Sequence, residues 1–419
     1  MNQHTIFYPN LSATFVSFRR TIVVLGLVIA GLHTGSAAVT WQNIQFGGFA
    51  SQGFIANTGN NDYLGNTSEG TFDFREYAVN GSYSIGKFRI GAQVFGQKLG
   101  DYGDDKIKLD WAIVDYQATQ WFGIRAGRVK MPRGLYNEAL DLDSVRPFVL
   151  LPQSVYDARL RDFNAAFNGA MAYGNVELHS VGSLDYRLFY GKMPMSTKSG
   201  AGDYFNNDMP YPKMTIGIDN VVGGSLFWNT PIKGLRAGYS FSRFKNFSSM
   251  QDLSSVPGIP FPMMYKTAPH YDRHLLSVEY TYGDWVFAAE AGTEKADYEI
   301  AFPGIPPALI MHFKSKYGYA SAARRVTSWL ELGAYYSCSF DTQYQETLTS
   351  APMTIIPDLH QSDYAVSARF DLNDHLIFKL EGHYMDGSGK LFNTPSHPQP
   401  VSTRDNSWMM LAAKITYSF

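Results

Sequence analysis

The sequence SWMMLAAKITYSF, residues 407–419, alternates between apolar and polar side chains along most of its length. Side chains of a β-strand point to opposite faces in turn, so this stretch would have one apolar face and one polar face. The apolar face would carry Met409, Leu411, Ala413, Ile415, Tyr417 and Phe419, and the polar face Lys414, Thr416 and Ser418. The stretch therefore predicts a strand that separates an apolar environment from water.

The same two-residue alternation recurs along the chain. In one example, Leu380 lies between Lys379 and Glu381, so the apolar and the charged side chains would point to opposite faces. Segments of this kind predict sixteen strands, at about residues 41–57, 72–85, 87–98, 107–119, 121–131, 165–180, 184–193, 218–230, 235–245, 271–282, 285–296, 312–325, 327–341, 362–372, 374–386 and 407–419.

The connections between these strands alternate in length. The gap after each even-numbered strand is a few residues, as at Gly86 and Asn373. The gap after each odd-numbered strand is long, at residues 58–71, 99–106, 132–164, 194–217, 246–270, 297–311, 342–361 and 387–406. Long loops on one side and tight turns on the other are typical of outer-membrane barrels. The sequence therefore predicts an all-β fold, a transmembrane antiparallel β-barrel of about 16 strands, and disfavours a secreted sandwich.

The N-terminal segment predicts export from the cytoplasm. A basic pair, Arg19-Arg20, precedes an apolar run at residues 21–32 and a series of small residues that ends at Ala38. This order is that of a secretory signal peptide, and the apolar run is too short to span a bilayer. We expect residues 1–38 to be a signal peptide and residues 39–419 to form a single barrel domain.

Composition excludes several classes of protein. The formal net charge is −2, so the chain is not a generally basic nucleic-acid-binding protein, and no nucleic-acid partner is expected. Cys338 is the single cysteine, which excludes an intrachain disulfide and a zinc–thiolate cluster. No Gly-x-Ser-x-Gly nucleophile elbow stands where a strand, turn and helix could hold it. The sequence predicts no enzymatic activity, no cofactor and no metal.

The gap at residues 132–164 is the longest, and it mixes apolar and charged side chains. A sixteen-stranded barrel encloses an aqueous channel that would be unselective if nothing narrowed it. Leu150 and Tyr156 are among the apolar residues that could pack on the inner wall. We therefore expect this third long loop to fold into the lumen. The charged residues predicted at the pore constriction are Arg128, Lys130, Arg133, Glu138, Asp141, Asp143, Arg146, Asp157, Arg159, Arg161 and Asp162.

Cations on the polar faces of the strands are candidates for the lumen wall. They are Arg89, Arg324, Arg369, Lys379 and Lys414. Basic wall residues that face an acidic loop would create a transverse field that orients dipolar solutes. In WFGIRAGRVK, residues 121–130, alternation leaves open whether Arg125 or the pair Arg128 and Lys130 faces the lumen.

The signal peptide, the strand rhythm, the terminal Phe419 and the long third loop together resemble a Gram-negative outer-membrane porin. The resemblance covers residues 39–419. Within it, AGRVKMPRGLYNE, Ala126–Glu138, is similar to a Gly-Arg-x-Lys-x-Pro stretch of porins related to the phosphate-selective branch. The resemblance implies an outer-membrane location, contact with lipid and lipopolysaccharide, a homotrimer and an inward-folded third loop. Phosphate selectivity does not follow, because the candidate lumen charges have mixed signs.

Two functions fit these features. The first is a porin whose water-filled channel passes ions and small hydrophilic solutes by diffusion, narrowed by residues 132–164. The second is a structural or adhesive barrel of the cell surface, with a closed lumen and active exposed loops. The porin should conduct ions when purified, and the closed barrel should not.

Overall fold

The computed structural model describes residues 39–41, 43–206, 212–256, 258, 260–346, 354–393 and 399–419. The predicted signal peptide at residues 1–38 lies outside the described residues. Among the described helices, none has the length and apolar character of a membrane-crossing segment. The helices are short: α1 is Arg161–Asn164 and α2 is Gly200–Asn206, and five 3-10 turns lie at Asn137–Ala139, Asp143–Val145, Ala158–Leu160, His179–Val181 and Val401–Thr403.

Sixteen antiparallel strands of the described residues, β2 to β17, close into one barrel, and the short strand β1 pairs with the start of β2. The ring closes where β17 pairs with β2, from Met410 opposite Asn57 to Ser418 opposite Phe49. The predicted all-β antiparallel barrel is confirmed. The strands are β1 Val39–Trp41, β2 Ile44–Asn57, β3 Phe74–Ile85, β4 Phe88–Leu99, β5 Lys108–Thr119, β6 Phe122–Lys130, β7 Ala166–Glu177, β8 Ser183–Met193, β9 Lys213–Asn229, β10 Leu235–Asp252, β11 Met263–Tyr282, β12 Trp285–Phe302, β13 Ile305–Arg325, β14 Leu330–Glu346, β15 Thr354–Asp371, β16 Leu376–Gly387 and β17 Ser407–Ser418.

The two faces of the barrel wall differ in polarity. On β11, Leu276 and Val278 are 62% and 46% exposed, whereas Ser277 between them is 1% exposed. The apolar side chains point outward, where a bilayer would cover them, and the polar ones point into the lumen. This is the alternation that the sequence predicts.

Several strands are longer than predicted at the long-loop end. The predicted loops 246–270 and 297–311 are largely strand, because β10 pairs with β11 as far as Asp252 opposite Met263, and β12 reaches Phe302 opposite Ile305. Only residues 303–304 connect β12 to β13. On the extension of β12 the polarity of the two faces is reversed: Tyr298 and Ile300 are buried in the core inside the lumen, whereas Glu299 between them is exposed on the outside. The pattern of an apolar outer face and a polar inner face therefore does not identify these extensions. Residues 347–353, within the predicted loop 342–361, lie outside the described residues.

An apolar core fills part of the lumen. The inward side chains Phe244 of β10 and Tyr271 of β11 are fully buried against Phe163 of the third long loop and Phe205 of α2. The ring centroid of Phe163 lies 4.5 Å from that of Phe244 and 5.1 Å from that of Phe205. The loop is therefore packed onto the wall on this side rather than suspended in water.

Candidate pore and its constriction

The third long loop, residues 131–165 between β6 and β7, is bonded to the inward face of the wall at three places. The first is Glu290 of β12, which is 3% exposed. Its carboxylate accepts hydrogen bonds from the backbone N–H of Leu135 at 3.0 Å and from the Tyr156 hydroxyl, and Tyr319 of the wall donates to it at 3.0 Å. One wall carboxylate thus holds the start and the later part of the loop.

The second attachment is Glu381 of β16, which is 1% exposed. Its carboxylate accepts from the backbone N–H groups of Val149 at 2.8 Å and Leu150 at 2.9 Å. His383 lies 3.0 Å from the same carboxylate through Nε2 and 3.0 Å from Asp363 through Nδ1. The middle of the loop is therefore held by a buried charged network of β15 and β16.

The third attachment is a four-charge cluster beside β5 and β6. Arg161 of the loop binds Asp110 of β5 at 2.6 Å and also binds Asp141 of the loop. Lys130 of β6 lies 2.7 Å from Asp110 and 2.5 Å from Asp141. The four side chains are 11% exposed or less, and their charges balance. With Glu290 and Glu381, this cluster ties the loop to three separate parts of the barrel's inner circumference.

One cation from each of the two alternatives that the sequence left open, Arg125 and Lys130, has its partner inside the lumen. Arg125 pairs with Asp115 at 2.8 Å, and Lys130 joins the cluster on Asp110. An odd spacing along a regular strand would send these two side chains to opposite faces. Gly127 lies between them with φ +125°, and this irregularity breaks the alternation.

Gly127 cannot be replaced without strain. A Cβ atom at this position would lie 2.2 Å from the backbone oxygen of Ala112, and the positive φ is unfavourable for any side chain. We expect Gly127→Ala to lower the yield of folded barrel and its thermal midpoint, measured by heat-modifiable migration in gels. Gly382→Ala is the control, because a Cβ there meets nothing within 4 Å. Equal stability of the two variants would contradict this interpretation.

A second cluster surrounds Asp143, which the sequence placed in the constriction. Its Oδ1 lies 3.0 Å from Arg146, 3.4 Å from Lys379 and 3.3 Å from Lys414. Its Oδ2 accepts from the Thr416 hydroxyl at 2.5 Å. We call these four partners of Asp143 the cradle. The predicted acidic loop and basic wall are thus in direct contact, so their charges are paired rather than facing each other across water.

Four of the five predicted wall cations point into the lumen, and one prediction is wrong. Arg324 is exposed on the outward face of β13, opposite Leu332 in the register, and its guanidinium lies 5.4 Å from the Trp285 ring centroid. It lies near a tight turn, where a cation on the outer face can reach the headgroup region. The inward cations are Arg89, Arg369, Lys379 and Lys414.

The remaining predicted constriction residues have different environments. Arg133 is buried and donates to the Val155 carbonyl at 2.6 Å. Arg159 and Asp157 form a buried pair at 2.7 Å. These three residues are buried and hold the loop together. Two other residues are exposed to the lumen: Glu138, 3.2 Å from Arg187, and Asp162. The last, Arg128, lies beside the cavity that Asp162 lines.

Cavities lie on both sides of the loop. One of about 690 Å³ opens at the tight-turn end and is lined by Arg89, Asp143 and Thr416. One of about 510 Å³ lies at the long-loop end and is lined by Arg128 and Asp162. A third, of about 310 Å³, lies between the loop and β4 to β6. A gap of only about 30 Å³, lined by Arg146, Arg161, Lys414 and Glu76, lies next to the loop between the ends.

Sequence reasoning missed how the loop is held. Glu290 and Glu381 are identifiable as polar-face residues of their strands, but nothing local indicates that they accept backbone N–H groups of a distant loop. The contribution of Thr416 to Asp143 was missed for the same reason. The available signal was an acid on an inward face of an otherwise apolar strand, which requires a partner when buried.

Comparisons with known proteins show the fold. No protein-family model matches the chain, and neither does any curated protein. Among solved structures, the trimer form of OmpT from Vibrio cholerae is 13% identical with a TM-score of 0.52, over 90% of this chain and 99% of that chain. The anion-selective porin from Comamonas acidovorans is 12% identical with a TM-score of 0.52, over 90% and 99%. Salmonella typhi OmpF, in complex with daunomycin, is 11% identical with a TM-score of 0.52, over 91% and 100%. The chain therefore has the fold of an outer-membrane β-barrel.

Proposed function

We propose that this protein is an outer-membrane porin with a narrow channel for ions and small hydrophilic solutes. The observation that carries the proposal is the pair of polar cavities, about 690 and 510 Å³, at opposite ends of the lumen, with a charged gap beside the loop between them. The third long loop limits the passage in this proposal. Its three attachments support a constriction that keeps one shape.

The assembly and the location belong to the same proposal. Residues 1–38 direct export, residues 39–419 insert as one domain, and three copies associate in the outer membrane among lipid and lipopolysaccharide. The outward apolar side chains and the likeness to the trimer form of Vibrio cholerae OmpT support this arrangement. The proposal leaves out phosphate selectivity, because Lys379 and Lys414 are paired with Asp143 and do not form a free ladder of cations. No catalytic role is proposed.

A closed surface barrel is the second candidate, and one observation favours it. The gap between the two large cavities is about 30 Å³, little more than the space that one or two water molecules need. Under this alternative the loop is a plug and the exposed loops act on external partners.

Swelling of liposomes that contain the purified barrel separates the two candidates. A narrow porin admits a small solute such as glycine quickly, and its rate falls steeply through pentoses, hexoses and disaccharides. Liposomes without protein are the control. No swelling with any solute, from barrel whose migration in gels is heat-modifiable, would overturn the porin proposal in favour of the closed barrel.

A further inference from the structure

The cradle around Asp143 is built from like charges in neighbouring strands. In the register of the sheet, Lys379 of β16 is directly opposite Lys414 of β17, and Arg369 of β15 is directly opposite Lys379. Like charges in this position repel each other. Arg369 pairs with Asp371 at 2.7 Å. Lys379 donates to the backbone carbonyls of Asp143 at 2.7 Å and Phe148 at 3.2 Å and lies 3.4 Å from the Asp143 carboxylate. Lys414 lies 2.5 Å from Glu76 and 3.3 Å from the Asp143 carboxylate. The two opposed lysines therefore share the Asp143 carboxylate as an anionic partner.

The cradle also holds more positive than negative charge. Within the part of the chain that the structure describes, Arg146, Lys379 and Lys414 form ion pairs with two carboxylates, Asp143 and Glu76, the latter paired with Lys414. Glu381 lies farther away and attracts Arg146 without pairing with it. The cluster on Asp110 differs, because its two cations are matched by two acids. All three cations of the cradle are 7% exposed or less. An anion in this position is thus bound by largely desolvated charges, where electrostatic attraction is strong.

The cradle lies where the two sides of the lumen meet. Asp143 and Thr416 line the large cavity of the tight-turn end, whereas Arg146 and Lys414 line the narrow gap beside the loop. Three cations and a hydroxyl converge on two carboxylate oxygens, with distances of 2.5 to 3.4 Å. A solute carboxylate would find the same donors in the same geometry.

We propose that the cradle is a binding site for small carboxylate anions on the permeation path. In the absence of such a solute, the side chain of Asp143 fills the site. A solute carboxylate takes the place of the Asp143 side chain as it passes from one cavity to the other. This inference rests on the proposed porin function. The cradle would therefore favour small carboxylates over sugars of similar size, because a sugar has no negative charge with which to replace that of Asp143.

The test compares two substitutions that each remove one negative charge from the same loop. Asp143→Asn removes the carboxylate that the three cations share and leaves Lys414 with Glu76, whereas Asp162→Asn changes an exposed residue that lines the cavity at the long-loop end. In planar bilayers under a potassium chloride gradient, we expect Asp143→Asn to raise the chloride-to-potassium permeability ratio several-fold. Sodium acetate at millimolar concentration should then reduce its chloride current. Asp162→Asn should show a much smaller shift and no block by acetate.

A milder variant covers the case in which Asp143→Asn does not fold. Thr416→Val keeps the size of the side chain and removes only the hydroxyl that donates to Asp143, so it should shift the permeability ratio in the same direction by less. Equal shifts of the permeability ratio in Asp143→Asn and Asp162→Asn, without block by acetate, would overturn the inference. If Asp143→Asn fails to fold, a Thr416→Val channel with the permeability ratio of the wild type would overturn it. A wild-type barrel without any conductance would instead overturn the porin function itself.

Discussion

Replacing Glu381 with alanine should release the middle of the third long loop from the barrel wall. The variant removes the acceptor of two backbone N–H groups, those of Val149 and Leu150, and leaves them buried. Hydrogen bonds to a charged group contribute about 1.5–3 kcal/mol each, so the docked loop should lose about 3–6 kcal/mol. Since 1.4 kcal/mol is a factor of ten, amide hydrogen exchange at residues 148–151 should speed up by about 10²-fold or more.

Hydrogen exchange followed by mass spectrometry checks this expectation in the folded, bilayer-embedded barrel. Glu299→Ala is the matched control, because the Glu299 side chain is exposed on the outside of β12. Exchange in the strands should be the same in both variants, since the effect is local to the loop. Unchanged protection of residues 148–151 in Glu381→Ala would mean that other contacts hold the middle of the loop and that Glu381 does not.

Arg161→Ala should lower the free energy of unfolding of the whole barrel. It leaves Asp110 and Asp141, each 7% exposed or less, with Lys130 as their remaining cationic partner. Breaking a buried ion pair from one side costs about 3–5 kcal/mol, because a desolvated charge stays behind. The free energy of unfolding in urea, followed by tryptophan fluorescence in lipid vesicles, should fall by about that amount.

The same variant should change ion selectivity. Removing one of the two cations leaves a net negative charge beside the passage, so the reversal potential should move towards preference for cations. Arg243→Ala is the control. Arg243 pairs with Asp272 at 2.7 Å but is 39% exposed, and exposed pairs contribute about 0–1 kcal/mol. If Arg161→Ala lowers the free energy of unfolding no more than Arg243→Ala does, the role assigned to the cluster on Asp110 is contradicted.

The transmembrane part of the fold was predictable because a bilayer imposes a strict pattern. Each wall residue meets either lipid or the lumen, so side chains such as Leu411 and Lys414 identify their faces from sequence alone. Beyond that part the polarity of the faces can be reversed, as on β12, where Tyr298 and Ile300 are buried in the lumen core, and the extensions of β10 to β13 were therefore interpreted as loops. Arg324 was assigned to the wrong face because a cation near the rim can point outward to the headgroups.

The candidate site was predictable only in its components. A long loop with many charges predicts a charged constriction, and residues such as Asp143 and Lys379 were identified as candidates. Their pairing depends on which wall positions lie beside the loop, and no local pattern encodes this. The inward direction of both Arg125 and Lys130 depends on the backbone of Gly127, whose φ of +125° is not visible in the sequence.

Single-channel conductance of the wild-type barrel, recorded beside Glu381→Ala in the same planar bilayers, tests the central claim most directly. The claim is that the lumen conducts and that the third long loop limits the current. It predicts small, stable open steps for the wild type and larger, noisier steps for Glu381→Ala. Large steps that are identical in both proteins would contradict a limiting role of the loop, and no steps in either protein would contradict the channel.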